Sequence, residues 1–206
     1  RVLVAVGRTP CSQELQLDRT KVQINEKGFI QVGPQQQTAD PNIYAVGDVA
    51  GGILLAHKAS KEAKVAVEHI CGNVGEGSSH LIPAVVFTDP ELAWCGLTET
   101  EAKTKNIPVQ IVKFPWSASG RALTLDRTDG TTKFLIDPKT EKLLGVGICG
   151  VGAGELISEG ALAVEAGMRV KDLASLVHPH PTLSETLMEC AEMFYGHATH
   201  AYSRKR

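Results

Sequence analysis

The chain opens on VLVAVG, residues 2–7, an unbroken apolar and β-branched run. Such a run predicts a parallel strand buried on both faces. It has no lead-in, so the chain is expected to begin in mid-domain, and GRTP then ends the strand with its Gly and Pro. The stretch KVQINEKGFIQV predicts a short hairpin turning at Gly28. IYAVGD predicts a second buried strand that ends in Gly47-Asp48; a Gly-rich turn then leads into HKASKEAKVAVEHI, whose apolar spacing is helical.

The Gly- and Ser-rich stretch from Gly72 to Ser79 has the composition of a linker, and a domain boundary is expected near residue 80. Beyond it, AVVFT, LAWCGL, VQIVKF, TKFLID and LLGVGIC predict strands, the last two joined by an Asp137-Pro138 turn. TETEAKTK predicts a short helix that Thr98 and Glu101 start as a capping box. GELISEGALAVEAG, KDLASL and TLSETLMECAEMFY predict the closing helices. A mixed or antiparallel sheet followed by helices is an α+β fold.

Composition narrows the function classes. At 206 residues, 43% hydrophobic and 21% charged, the chain is long and apolar enough to bury a core, and no apolar run reaches bilayer length. A net charge of −2 with no basic stripe argues against nucleic acid, and the Arg204–Arg206 cluster is a terminal, solvated tail. The five cysteines, Cys11, Cys71, Cys95, Cys149 and Cys190, are scattered and follow no signal peptide, so a reducing, cytoplasmic setting is expected.

Three places carry candidate chemistry. Gly145 to Gly150 fits GxGxxG, with Glu165 at the distance of a ribose partner. Glu165 however lies within the helically spaced ALAVEAGM, so these glycines are read as easing a strand and its exit turn, with no cofactor role. Asp48 ends a predicted strand, where open α/β sheets bind ligands, and it precedes a helix starting near Leu55-Ala56-His57 whose first amides favour an anion. From pattern alone, a helix cap is the favoured reading of Asp48. In HPHPTLSE, Pro179 and Pro181 stiffen the backbone around His180, and Glu185 is near enough to orient the imidazole and make it a better base. Thr182 and Glu185 also satisfy T-x-x-E, and by pattern alone a capping box is favoured. His178 and His180 form an HxH pair without a further ligand nearby, and no metal site is expected.

TADPNIYAVGDVAGGILLAHKASKEA resembles the second flavin-binding segment of two-dinucleotide-domain flavoproteins, and VLVAVGRTP resembles the end of their NAD domain. HPHPTLSE, IPAVVFTDPELAWCGLTETEAK and FPWSASGRA are similar to the interface domain of the dihydrolipoamide dehydrogenases, class I members of the pyridine nucleotide-disulfide oxidoreductases. The resemblance covers essentially the whole chain. It implies an end of the NAD-binding domain at residues 1–10, the C-terminal part of the FAD-binding domain at 11–80, and a dimerisation domain at 81–206.

The resemblance also implies that Asp48 binds the FAD ribityl chain, that the backbone of Leu55, Ala56 and His57 faces the flavin, and that Gly7 approaches the nicotinamide nucleotide. His180 is implied as the acid-base residue for a dihydrolipoyl thiol and Glu185 as its partner, both serving the opposite subunit of a homodimer. The implied reaction is reoxidation of dihydrolipoyl groups by NAD+ through FAD, with the lipoyl domains of 2-oxo acid dehydrogenase complexes as partners. The family's redox Cys-x4-Cys pair and N-terminal flavin fingerprint do not occur in these residues. The fragment alone is therefore expected to be inactive and to hold no FAD stably. A glutathione-reductase-like enzyme and a non-catalytic dimerisation module are the alternatives; mercuric reductase would end in a vicinal cysteine pair that this tail lacks.

Overall fold

The computed structural model describes residues 1–73 and 81–202. Most of the predicted linker, from Val74 onward, and the Arg204–Arg206 tail lie outside the described residues. The chain divides into two compact units, Arg1–His80 and Leu81–Arg206.

The second unit is built on one antiparallel sheet. Its strands are β1 (Ala84–Val86), β2 (Leu92–Gly96), β3 (Gln110–Pro115), β4 (Thr131–Ile136) and β5 (Leu143–Cys149), in the spatial order β1-β2-β5-β4-β3. Every pairing is antiparallel, with Trp94 opposite Gly147, Phe134 opposite Val146 and Phe114 opposite Thr132. Side chains alternate across a pleat, so Ala93, Cys95, Phe114, Phe134, Val146 and Ile148 point to one buried face. Helix α4 (Ala153–Glu165) covers that face over β2 and β5, and α6 (Glu185–Tyr195) covers it over β3 and β4. Two short helices, α2 (Glu99–Thr104) and α5 (Val170–Ala174), follow the sequence signals, and α2 starts with the predicted Thr98–Glu101 capping box. A further short helix, α3 (Gly120–Thr124), was not legible in the pattern.

The GxGxxG glycines have a packing explanation. A Cβ at Gly145 would stand 2.1 Å from the Leu97 carbonyl oxygen, and one at Gly150 would stand 2.3 Å from the Trp116 ring. Both positions therefore need the absence of a side chain. Glu165 closes α4 and accepts a hydrogen bond from the Leu81 amide at 3.2 Å, so it belongs to a helix and not to a second nucleotide-binding strand. Trp116 sits fully buried against Gly150 and donates from its indole to Thr132 at 3.0 Å. Thr132 in turn donates to Thr186 at 2.9 Å, and Thr186 to the Leu183 carbonyl at 2.7 Å. This buried relay ties the start of α6 to the sheet, and it fixes the backbone on which the HPHPTLSE segment is mounted.

The first unit corrects three expectations. VLVAVG forms no strand, and Val2, Leu3, Val4 and Val6 are 73–93% exposed. A parallel strand exists only through hydrogen bonds to neighbouring strands, and no described residue pairs with this run. IYAVGD forms no extended strand either. It makes a single bridge between Gln37 and Tyr44, then tightens into a 3₁₀ turn over Gly47–Ala50. The KVQINEKGFIQV hairpin reduces to one bridge, Ile24 to Ile30, around a tight turn. There Gly28 donates to the Asn25 carbonyl, and the Asn25 side chain takes the Lys27 and Phe29 amides. The predicted helix is present as α1 (Ala56–Ile70), which buries Val65 and Ala66.

Candidate active site

His180 and Glu185 meet in a hydrogen bond. The segment 178–184 runs irregularly into α6, whose first residue is Glu185, and this places the carboxylate under the imidazole with His180 Nδ1 2.9 Å from Glu185 Oε1. The other carboxylate oxygen accepts the Thr182 amide at 2.7 Å. Glu185 therefore serves the helix start and the histidine together. The hydroxyl of Thr182 is turned to the Pro179 carbonyl at 2.7 Å instead of completing a reciprocal capping box.

Exposure separates the two partners. The His180 side chain is 68% exposed, whereas Glu185 is 17% exposed. Burial by itself raises the Glu185 carboxyl, but the Thr182 amide, the His180 hydrogen bond and the nearby His180 and His200 charges outweigh it, and the group titrates below its usual range. An ionised carboxylate only accepts, so Nδ1 is the donor and the tautomer leaves Nε2 facing outward with a free lone pair. Chemically such a pair can act as a positioned, solvent-facing general base. Gly120 at the start of α3 lies beside the ring: a Cβ there would approach His180 Cε1 to 3.9 Å.

The neighbouring histidine has a different job. His178 is 4% exposed; its Nε2 lies 2.8 Å from Glu159 of α4 and its Nδ1 lies 3.1 Å from the Leu176 carbonyl. Nε2 ties the segment to α4, and Nδ1 is taken up by the backbone two residues before it. Among the described residues no group of three or more His, Cys, Asp or Glu side chains is arranged to hold a metal ion. The partner Glu159 was not foreseen, since nineteen positions separate it from His178 and no local pattern links them.

In the first unit, Asp48 lies in the Gly47–Ala50 turn, just before α1. Its carboxylate is 45% exposed and contacts the Arg8 guanidinium at 3.3 Å. Beside it is an open hollow of about 450 Å³ lined by Arg8, Pro10, Phe29, Asp48, Val49 and Leu54. The half-buried Leu55 is the N-cap of α1, and Ala56 and His57 are exposed in its first turn. An aliphatic cap offers no side-chain acceptor and the first turn carries no acidic residue, an electrostatic setting that favours an anion. Gly7 sits in the exposed leading segment at φ +121°. A carboxylate that accepts hydroxyl hydrogen bonds, next to an uncapped helix N-terminus, fits the polyol chain and electron-rich ring edge of a flavin.

The five cysteines are free. Burial raises the Cys95 thiol to about 12 and raises that of Cys190 further, so both behave as packing residues. No helix of the described residues is long and apolar enough to cross a membrane.

Similarity to known proteins gives the family. Residues 82–191 match the dimerisation domain of the pyridine nucleotide-disulphide oxidoreductases. The chain belongs to that family. Residues 1–63 match a second pyridine nucleotide-disulphide oxidoreductase domain. A dihydrolipoyl dehydrogenase of Thermus scotoductus is 49% identical over 99% of the chain and 44% of its own length. One from Buchnera aphidicola is 48% identical over 96% of the chain and 42% of its own length.

Among solved structures of similar fold, the HOCl-induced flavoprotein disulfide reductase RclA of Escherichia coli superposes with a TM-score of 0.86 at 28% identity, over 92% of this chain and 44% of that one. LpdA of Mycobacterium tuberculosis superposes at 0.85 and 26% identity, over 90% and 41%. The chain thus spans less than half the length of these relatives. Within the oxidoreductase family it supplies a dimerisation domain and part of a second domain, and the family's cofactors are FAD and NAD.

Proposed function

We propose that this chain is part of a dihydrolipoyl dehydrogenase, in which His180 is the acid-base residue and Glu185 orients it. The observation that carries the reading is the 2.9 Å bond from His180 Nδ1 to a carboxylate held ionised, beneath a ring that is otherwise open to solvent. A dithiol reacts as its thiolate. His180 Nε2 takes the proton from one dihydrolipoyl sulfur, and Glu185 stabilises the imidazolium that results. The thiolate attacks a disulfide carried elsewhere in the whole enzyme, breaking that S–S bond to form a mixed disulfide. The second dihydrolipoyl sulfur gives its proton to the thiolate so released and displaces the other enzyme sulfur, which closes the substrate to its cyclic disulfide and leaves the electron pair on the enzyme. The proton is released as His180 returns to neutral.

Asp48, Leu55, Ala56 and His57 would hold FAD, and Gly7 would lie along the nicotinamide nucleotide. The chemistry a bound flavin would supply is relay of the electron pair to NAD+ as hydride. Asp48 would accept a hydrogen bond from the flavin's polyol chain, and the α1 N-terminus would favour negative charge on its ring. The match to a dimerisation domain supports a homodimer in which His180 and Glu185 complete the partner subunit's site. The names of the 49% and 48% identical relatives support a dihydrolipoyl substrate, carried on the lipoyl domains of 2-oxo acid dehydrogenase complexes, and favour this reading over a glutathione reductase or a non-catalytic dimerisation module.

The test uses the full-length enzyme. Removing a general base costs roughly 10²- to 10⁴-fold in rate, and His180→Gln is expected to lose turnover of dihydrolipoamide in that range while keeping its flavin spectrum and dimer mass. Wild-type turnover by that variant would end the assignment.

A further inference from the structure

We propose that Lys58 and Glu62 are a positioning pair that sets the shape of the turn carrying Asp48, and thereby how tightly that carboxylate holds the flavin. The inference rests on the reading of Asp48 as a flavin ligand given above. It starts from a spacing: Lys58 and Glu62 are four apart on α1, one turn of helix, and their side chains are only 12% and 9% exposed. Taking two charges out of water is costly unless each finds further hydrogen bonds. Both find them on the same stretch of backbone.

Glu62 Oε2 accepts the Gly47 amide at 2.7 Å, and Glu62 Oε1 meets Lys58 Nζ at 2.8 Å. Lys58 Nζ then donates to the Gly51 carbonyl at 2.7 Å. The ion pair therefore bridges the two ends of the turn, binding a donor at Gly47 and an acceptor at Gly51. Between these ends the Gly51 amide donates back to the Asp48 carbonyl at 3.0 Å, and the Ile30 amide donates to Val49 at 2.9 Å. Gly47 and Gly51 take φ of +78° and +79°, and a Cβ at Gly47 would press on Ala59 of α1 at 3.2 Å. The turn thus lies flat against α1 with its polar ends clamped.

Among the described residues the carboxylate of Asp48 itself shows no comparable anchor. Its ionic contact there is to Arg8 at 3.3 Å, between side chains 77% and 45% exposed, a kind of pair that orders little. The aim of Asp48 is consequently set through its backbone, and the backbone is set by Glu62 and Lys58. A pair serving only to stabilise the fold would be replaceable by any apolar pair of similar volume. A positioning pair is not, because the Gly47 amide needs its acceptor.

The experiment compares two uncharged double variants of the full-length enzyme, Lys58→Met with Glu62→Leu and Lys58→Met with Glu62→Gln. They differ in whether Gly47 N–H retains a partner. Dissociation of FAD is followed by flavin fluorescence, and the environment of the bound ring by its visible circular dichroism. Leaving a buried amide unpaired is expected to weaken FAD binding about tenfold or more in the Leu variant. The Gln variant is expected to stay within about threefold of wild type because its side-chain carbonyl still accepts. Equal FAD affinity in the two variants overturns the proposal.

Asp48→Asn serves as the reference. Wild-type FAD affinity in that variant would remove the flavin role of Asp48. The clamp is then judged by hydrogen exchange at Gly47 and Gly51, whose protection should fall in the Leu variant and persist in the Gln variant. Should the Leu variant fail to fold, Glu62→Asp decides. The shortened carboxylate keeps its charge beside Lys58 but withdraws from Gly47, and undiminished FAD affinity there counts against the proposal.

Discussion

VLVAVG near the start of the chain and LLGVGIC in its second unit carry nearly the same apolar, β-branched, glycine-punctuated pattern, and they end in opposite environments. LLGVGIC is β5, hydrogen-bonded to β2 on one side and β4 on the other, with Leu143, Val146 and Ile148 buried. VLVAVG has no partner strand among the described residues and leaves Val2 and Val6 more than 90% exposed. The contrast shows what a strand-forming run specifies: a strong preference for extended backbone and burial, realised only where a neighbouring strand supplies the other half of each hydrogen bond. The same difference separates the two units, one closed around Trp116, Phe134 and Leu187, the other held among its described residues by turns, short 3₁₀ stretches and α1.

Three measurements bear on that comparison. The largest effect is expected in amide exchange of residues 2–6. In the 206-residue chain these amides should exchange with almost no opening cost, whereas in the full-length protein the added neighbours should raise that cost toward the global stability, about 5–15 kcal/mol. Protection in the short chain would show that the run orders itself without a neighbour. Next in size, Phe134→Ala empties the centre of the closed unit and should cost about 3–5 kcal/mol in denaturant unfolding. Val4→Thr, at a 73% exposed position, should stay within about 0.5 kcal/mol. Comparable losses at the two sites would erase the distinction. The smallest contrast lies between glycines. Gly145→Ala drives a methyl into the Leu97 backbone and should cost about 1–3 kcal/mol. Gly33→Ala meets no atom closer than 3.8 Å and should be nearly neutral by the same thermal-melt assay.

Legibility followed the range of the interaction. The capping box at Thr98 and Glu101, the helix α1 and the five strands of the second unit were readable, because each is announced by residues within one element. His180 and Glu185 were also readable as neighbours, and the structure joins them by a hydrogen bond. The competing capping interpretation of Glu185 was half right: one carboxylate oxygen takes the Thr182 amide while the other takes the imidazole. At Asp48 the reading succeeded for the helix that follows and failed for the strand before it. Tyr44 finds a single bridge partner where a buried strand would need a full row of them. The clamp formed by Lys58 and Glu62 carried a faint signal in its i, i+4 spacing, but nothing in the sequence said that the pair would turn inward onto Gly47 and Gly51 instead of outward to water.

By itself, then, the sequence determined which segments prefer helix or extended backbone, where charge and apolar character fall, and that an imidazole and a carboxylate stand five positions apart beside two prolines. Those properties depend on neighbours along the chain, and proximity in sequence is enough to express them. Tertiary structure alone decided the strand order β1-β2-β5-β4-β3, the loss of the VLVAVG strand, the tie from His178 to Glu159 and the clamped Asp48 turn. Each of these is a hydrogen bond made, or left unmade, between groups that only packing brings within reach.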